Sequence, residues 1–137
     1  AGLLDVAGEA PLLTAQRELA EEAGVHAKRW SVLVDLFNSP GGSSEAIRVY
    51  LAEDLTALPD GRPNTGEAEE AHLPQAWVGL LEARDLVLSG RIGSPSAVAG
   101  ILALVALRDA GDQAGRPAES PWWPREELLR SGHVRQM

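Results

Sequence analysis

Glu18, Glu21 and Glu22 fall within about one turn of "RELAEEAGV", residues 17–25, a segment that reads as the end of a helix. Like charges at i,i+3 and i,i+4 cost a helix roughly 0.2–0.5 kcal/mol per pair. Solvated helix faces relieve that repulsion with interleaved Lys, and here only Arg17 stands nearby. A further positive charge is called for. A divalent cation such as Mg²⁺ would supply it, because it takes oxygen ligands, keeps several waters and needs few carboxylates when a substrate phosphate completes its shell. The competing reading is a solvated acidic face.

The elements that must position these residues can be read around them. Pro11 suits a first helical position and Gly24 the residue just past a helix end, which predicts a helix between them. On a helical wheel Leu12, Ala15, Leu19 and Ala23 make one apolar stripe, with Thr14, Glu18, Glu21 and Glu22 towards the other side. "RWSVLVDLFNS" (29–39) and "EAIRVYLAEDL" (45–55) carry β-branched and aromatic residues and predict two strands, joined hairpin-fashion through "SPGGSS". Residues 59–75 read as a polar, acidic loop and "AWVGL" (76–80) as a short strand, with Trp30 and Trp77 in the core. Helices are expected over 80–90 and 94–111. Beyond 111 only "REELLR" (125–130) looks helical, and "PWWP" (121–124) is either a docking or a packing element. This order fits an α+β fold or an α/β/α sandwich, with one domain over residues 1–111 and a polar tail over 112–137.

Composition narrows the function classes. At 137 residues and 45% hydrophobic content the chain has one domain's length and ample material for a core. A net charge of -8 argues against electrostatic binding to nucleic acid or a membrane surface. With no cysteine there is no disulfide scaffold, thiolate metal site or thiol nucleophile. No apolar run reaches membrane-spanning length, so a soluble, cytoplasmic protein is expected. The chain opens at Ala1-Gly2-Leu3 without Met and reads as though cut from something longer.

Together "GLLDVAGEAPLLTAQRELAEEAGV" resembles the signature of the Nudix hydrolases. Glu9, Arg17, Glu18, Leu19, Glu21, Glu22, Gly24 and Val25 match it at the required spacing; eight fixed positions make a specific signal. The departure is the leading glycine: Gly2 stands one residue early and Leu3 holds the expected position, which reads as one extra residue in the "DVAG" loop. The resemblance implies a Nudix α/β/α sandwich with a mixed sheet and the family's loop–helix–loop. It implies Mg²⁺ or Mn²⁺ held by Glu18 and Glu22, with Glu21 a further or water-mediated ligand and the Ala1 carbonyl another. Arg17 would orient the glutamates, Glu9 would brace the loop, and Gly2 and Leu3 would meet the substrate.

"SPGGSSE" (39–45) is similar to the segment with which ADP-ribose pyrophosphatases of this family meet the terminal ribose, through a Ser and a Glu six apart; Ser39 and Glu45 keep that separation. Those enzymes also carry a catalytic Glu on a loop downstream. In "GEAEEAH" (66–72) Glu69 and Glu70 fit best and Glu67 third. The expectation is Mg²⁺-dependent hydrolysis of ADP-ribose to AMP and ribose 5-phosphate by a protein that is a homodimer in its full-length form. Its partner would be a small nucleoside diphosphate sugar, with no nucleic acid and no membrane. The alternatives are the same chemistry on another nucleoside diphosphate derivative, or a non-catalytic fragment lacking the N-terminal part that supplies strands, dimer contacts and much of the adenine pocket.

Overall fold

The structure, a computed structural model, describes residues 2–4, 6–63, 74–112 and 114–132. Its described elements run α1 (Pro11–Ala23), β1 (Val25–Phe37), β2 (Ala46–Ala57), α2 (Leu80–Leu88), α3 (Pro95–Asp109), β3 (Arg116–Pro117) and α4 (Trp123–Ser131). The strands form one sheet in the order β2-β1-β3. Helices with a three-stranded antiparallel sheet make this the expected α+β class. The chain divides into two compact units, residues 1–30 with 52–77, and residues 31–51 with 78–137.

In the first unit α1 begins and ends as its sequence predicts. Pro11 occupies the first turn, where its missing N–H has no partner to lose, and Gly24 takes the left-handed conformation (φ 66°) and donates its N–H to the Ala20 carbonyl. A side chain at Gly24 would be strained by that conformation and crowded as well, because a Cβ there would lie 3.0 Å from the Arg62 backbone nitrogen. β1 follows at the next residue, four positions earlier than its apolar pattern suggests, since His26 and Lys28 mask the strand. The helix buries Thr14 (3% exposed) more deeply than any residue of the apolar stripe. That inverts the wheel's expectation, and the reason is a polar partner: the Thr14 hydroxyl donates to Glu9 Oε2 at 3.0 Å. On β2, Asp54 has φ 56°, a conformation that short polar side chains tolerate, and its carboxylate accepts from Arg29 Nε at 2.7 Å.

In the second unit the hairpin between β1 and β2 is closed by the Asn38 N–H donating to the Glu45 carbonyl. α2 and α3 pack on each other. α3 meets β2 at Gly100, where an added Cβ would lie 2.9 Å from Val49 Cγ1; the small residue admits the strand's side chain. The fully buried Val32 sits opposite Arg116 where β3 joins β1. Residues 76–79 do not form the expected strand; they are exposed, find no place in the described sheet, and lead through Gly79 into α2. Trp77 accordingly is 80% exposed and not core. The segment after 111 is more than a polar tail: it adds β3 to the sheet and buries Ala118 and Trp122. No described helix is long and apolar enough to cross a membrane.

Candidate active site

The loop before α1 turns tightly, with the Glu9 N–H donating to the Val6 carbonyl and Gly8 at φ 78°. That turn brings the Glu9 carboxylate back over the helix, where Arg17 reaches it. Arg17 Nε donates to Glu9 Oε1 at 3.3 Å and Nη2 to Oε2 at 3.2 Å, a two-pronged pairing. Its remaining nitrogen, Nη1, donates to Glu18 Oε1 at 3.0 Å and to Glu21 Oε2 at 3.2 Å. One guanidinium thus serves three carboxylates. The Arg17 hydrogen bond, helped by Thr14, holds the Glu9 carboxyl below its ordinary range against the effect of burial. The same pairing with Glu9 pushes the Arg17 guanidinium up.

Arg17 therefore supplies much of the neutralisation that the glutamates require, and it leaves a remainder. Three carboxylates against one guanidinium still carry two formal negative charges. Gly2 lies directly against Glu18: a Cβ at Gly2 would overlap Glu18 Cγ and Cδ. The glycine of the loop is needed for this close approach, although it stands one residue away from its expected position. Glu22 is fixed through its backbone, whose carbonyl accepts from Gln75 Nε2 and from Arg62 Nη1.

Gly2, Glu9, Arg17, Glu18 and Glu21 are brought together in this way. Leu3 is 67% exposed. Ala1, Glu67, Glu69 and Glu70 lie outside the described residues. Ser39 and Glu45 belong to the second unit, where the Ser39 carbonyl accepts from the N–H groups of Gly42 and Ser43. Glu45 Oε2 accepts from Asn38 Nδ2 at 2.6 Å. Sequence reasoning missed Thr14, Arg62 and Gln75. Thr14 five residues after a loop carboxylate was a readable signal, whereas the other two are distant in sequence.

The donor chemistry suits a hard divalent cation. Among the described residues no group of three acidic or histidine side chains is close enough to hold a metal ion alone. Glu18 and Glu21 do converge on one guanidinium nitrogen, and a cation that keeps water and takes phosphate oxygens needs only one or two carboxylates. The residues fit such an ion as a partner shared with substrate.

The family model described as the NUDIX domain matches residues 1–98. The chain is 48% identical over 125 residues to an ADP-ribose pyrophosphatase of Mycobacterium tuberculosis, covering 91% of this chain and 58% of that protein. It is 44% identical over 55 residues to an ADP-ribose pyrophosphatase of Bacillus subtilis, covering 40% of this chain and 30% of that protein. To the CMP-5'-(N-acetyl-N-hydroxy-3-aminopropyl)phosphonate hydrolase of Streptomyces rubellomurinus it is 33% identical over 107 residues, covering 78% of this chain and 50% of that one. The chain thus spans between 30% and 58% of the length of these relatives.

Proposed function

The chain belongs to the Nudix family, and on that premise we propose that it hydrolyses the diphosphate of ADP-ribose, giving AMP and ribose 5-phosphate with the help of a divalent cation. The observation that carries this reading is the gathering of Glu9, Glu18 and Glu21 around Arg17. The choice of substrate is supported by 48% identity with a protein named as an ADP-ribose pyrophosphatase.

In the reaction one water adds across the anhydride. Its oxygen bonds to phosphorus, the bridging P–O bond breaks, and the water proton passes to a base. Glu69 or Glu70 would accept that proton; a positioned carboxylate contributes about 10²–10⁴-fold in such a role. Mg²⁺ or Mn²⁺, held by Glu18 and Glu22 with Glu21 and the Ala1 carbonyl, would when bound offset the diphosphate charge and acidify water. Arg17 holds Glu18 and Glu21 in place, and Glu9, itself braced by Thr14, holds Arg17. Ser39 and Glu45 would orient the terminal ribose. A second reading, hydrolysis of another nucleotide-linked substrate, is favoured by the 33% identity with a CMP-linked phosphonate hydrolase.

The test is a panel of nucleoside diphosphate derivatives assayed by mass spectrometry with Mg²⁺ and with Mn²⁺. ADP-ribose should be turned over best, with AMP and ribose 5-phosphate in equal amounts. Preference for a CMP-linked substrate would select the second reading, and no turnover of any substrate with either metal would overturn both.

A further inference from the structure

The stretch 63–74 carries Glu67, Glu69 and Glu70, and the residues on its two flanks meet at one backbone oxygen. On the entry side β2 ends at Ala57, and a turn closes with the Gly61 N–H donating to the Leu58 carbonyl at 3.1 Å and Gly61 at φ 68°. That turn lays the Arg62 backbone against Gly24, and the Arg62 side chain reaches the end of α1, where Nη1 donates to the Glu22 carbonyl at 3.4 Å. On the exit side Gln75 Nε2 donates to the same oxygen. All of these residues belong to the first unit.

Helix chemistry accounts for one of the two donors. The last four carbonyls of a helix lack a partner within it, and a cation is favoured at that end. α1 has no basic residue in its own last turn, so Arg62 brings the charge from 40 positions along the chain. The second donor is surplus to capping. Gln75 is uncharged and exposed, and water could replace its hydrogen bond at little cost. What the two donors share is their place in the sequence: they flank the glutamate-bearing stretch, and the carbonyl they grip belongs to one of the helix glutamates.

We infer that Arg62 and Gln75 are positioning residues for the hydrolysis, tethering both ends of the stretch 63–74 to the end of the helix that carries Glu18, Glu21 and Glu22. The inference rests on the proposed diphosphatase reading, in which a glutamate of that stretch takes the water proton. The part that Arg62 and Gln75 play is indirect: each acts through the Glu22 carbonyl, fixing where the stretch starts and ends relative to the helix glutamates. Capping alone would need only Arg62 and would show in stability. Tethering needs both residues and shows in turnover.

Steady-state kinetics with ADP-ribose and thermal unfolding with Mg²⁺ test this. Gln75→Leu should lower kcat about tenfold, within what a small displacement of a reacting group costs. KM and the Mg²⁺ concentration giving half the thermal stabilisation should stay within twofold of the original. Arg62→Met should lower kcat likewise, and Arg62→Lys, which keeps a donor, should recover part of it. Gln75 is exposed, so leucine there leaves core packing alone; should Arg62→Met fail to fold, Arg62→Lys gives the comparison with a smaller shift. The deciding measurement is a double-variant cycle. Of Glu67→Gln, Glu69→Gln and Glu70→Gln, the one that slows turnover most marks the proton acceptor. Adding Gln75→Leu to it should cost less than a further twofold, because the group being positioned is already gone. An unchanged kcat for Gln75→Leu, a shifted Mg²⁺ response, a full tenfold further loss in the cycle, or no loss from any of the three glutamate substitutions overturns the inference and leaves the diphosphatase reading intact. Absence of ADP-ribose turnover by the unaltered protein overturns that reading, and the inference with it.

Discussion

Gly2 lies so close to Glu18 that a methyl group on the glycine would overlap the glutamate's Cγ and Cδ. The atoms in the way belong to a flexible side chain, whose carboxylate Arg17 holds, and not to backbone. Gly2→Ala should therefore cost little in stability while displacing the Glu18 carboxylate. The expected result is a melting temperature within about 2 °C of the original and turnover reduced at least about tenfold, in line with the penalty for misplacing a reacting group. Equal losses in stability and turnover would assign Gly2 to the fold alone.

Arg17 answers for three carboxylates at once, so its removal leaves more than one group without a partner. Arg17→Met should lower stability, because three carboxylates then lose their shared hydrogen-bond donor. It should also move the Glu9 carboxyl back up towards its ordinary range, since the Arg17 hydrogen bond is the chief cause of its depression. Denaturant unfolding and carboxyl-carbon NMR titration check the two parts.

A cation that binds only the folded protein stabilises it by about 2.7 kcal/mol at 100 times its dissociation constant. Thermal unfolding with and without millimolar Mg²⁺ or Mn²⁺ should show that gain, and Glu18→Gln should abolish most of it. Glu69→Gln or Glu70→Gln should behave differently. Whichever residue is the base should lose about 10²–10⁴-fold in turnover, with the metal response of the melting temperature preserved. Loss of that response in the loop variants would make the loop a metal site.

Asp35 on β1 is clasped between the buried Arg48 of β2 and Arg116 of β3, and this clasp makes stability fall in acid. Burial works to raise the Asp35 carboxyl, and the hydrogen bonds and charges of Arg48 and Arg116 outweigh it, so the group lies below its ordinary value. A carboxyl depressed in the folded state contributes fully above its unfolded value, about pH 3.9, and loses that contribution as pH falls through the folded value. Asp35→Ala should cost about 3–5 kcal/mol at neutral pH, because Arg48 is left buried without its partner. The variant's stability should also vary less with pH below about pH 4. A variant as acid-sensitive as the parent would show that other carboxylates govern the decline.

The legible parts of the molecule were those written in local chemistry. Pro11 and Gly24 mark both ends of α1 because each is suited to one helix terminus. The glutamate cluster was readable for the same reason, since spacing within a helix determines which side chains meet. What the sequence did not disclose depends on partners far along the chain. β3 is two residues long, and nothing in "GRPAE" hints that Arg116 will meet Asp35. "AWVGL" failed in the opposite sense: its residue types suit a strand, but a strand needs a neighbour, and Trp77 is left exposed. Thr14 was misplaced because a wheel scores polarity and cannot see the Glu9 carboxylate that makes its burial tolerable.

Only Gly24 separates the last residue of α1 from the first of β1, and it is roofed by Gly61 and Arg62 and accepts at its carbonyl from the Leu58 N–H at 2.8 Å. A junction of one residue has no slack. Adding or deleting a residue there would turn every side chain of β1 to the opposite sheet face, or else rotate the glutamates by about 100° around the helix axis. The carboxylates are thus geared to the strand that follows them.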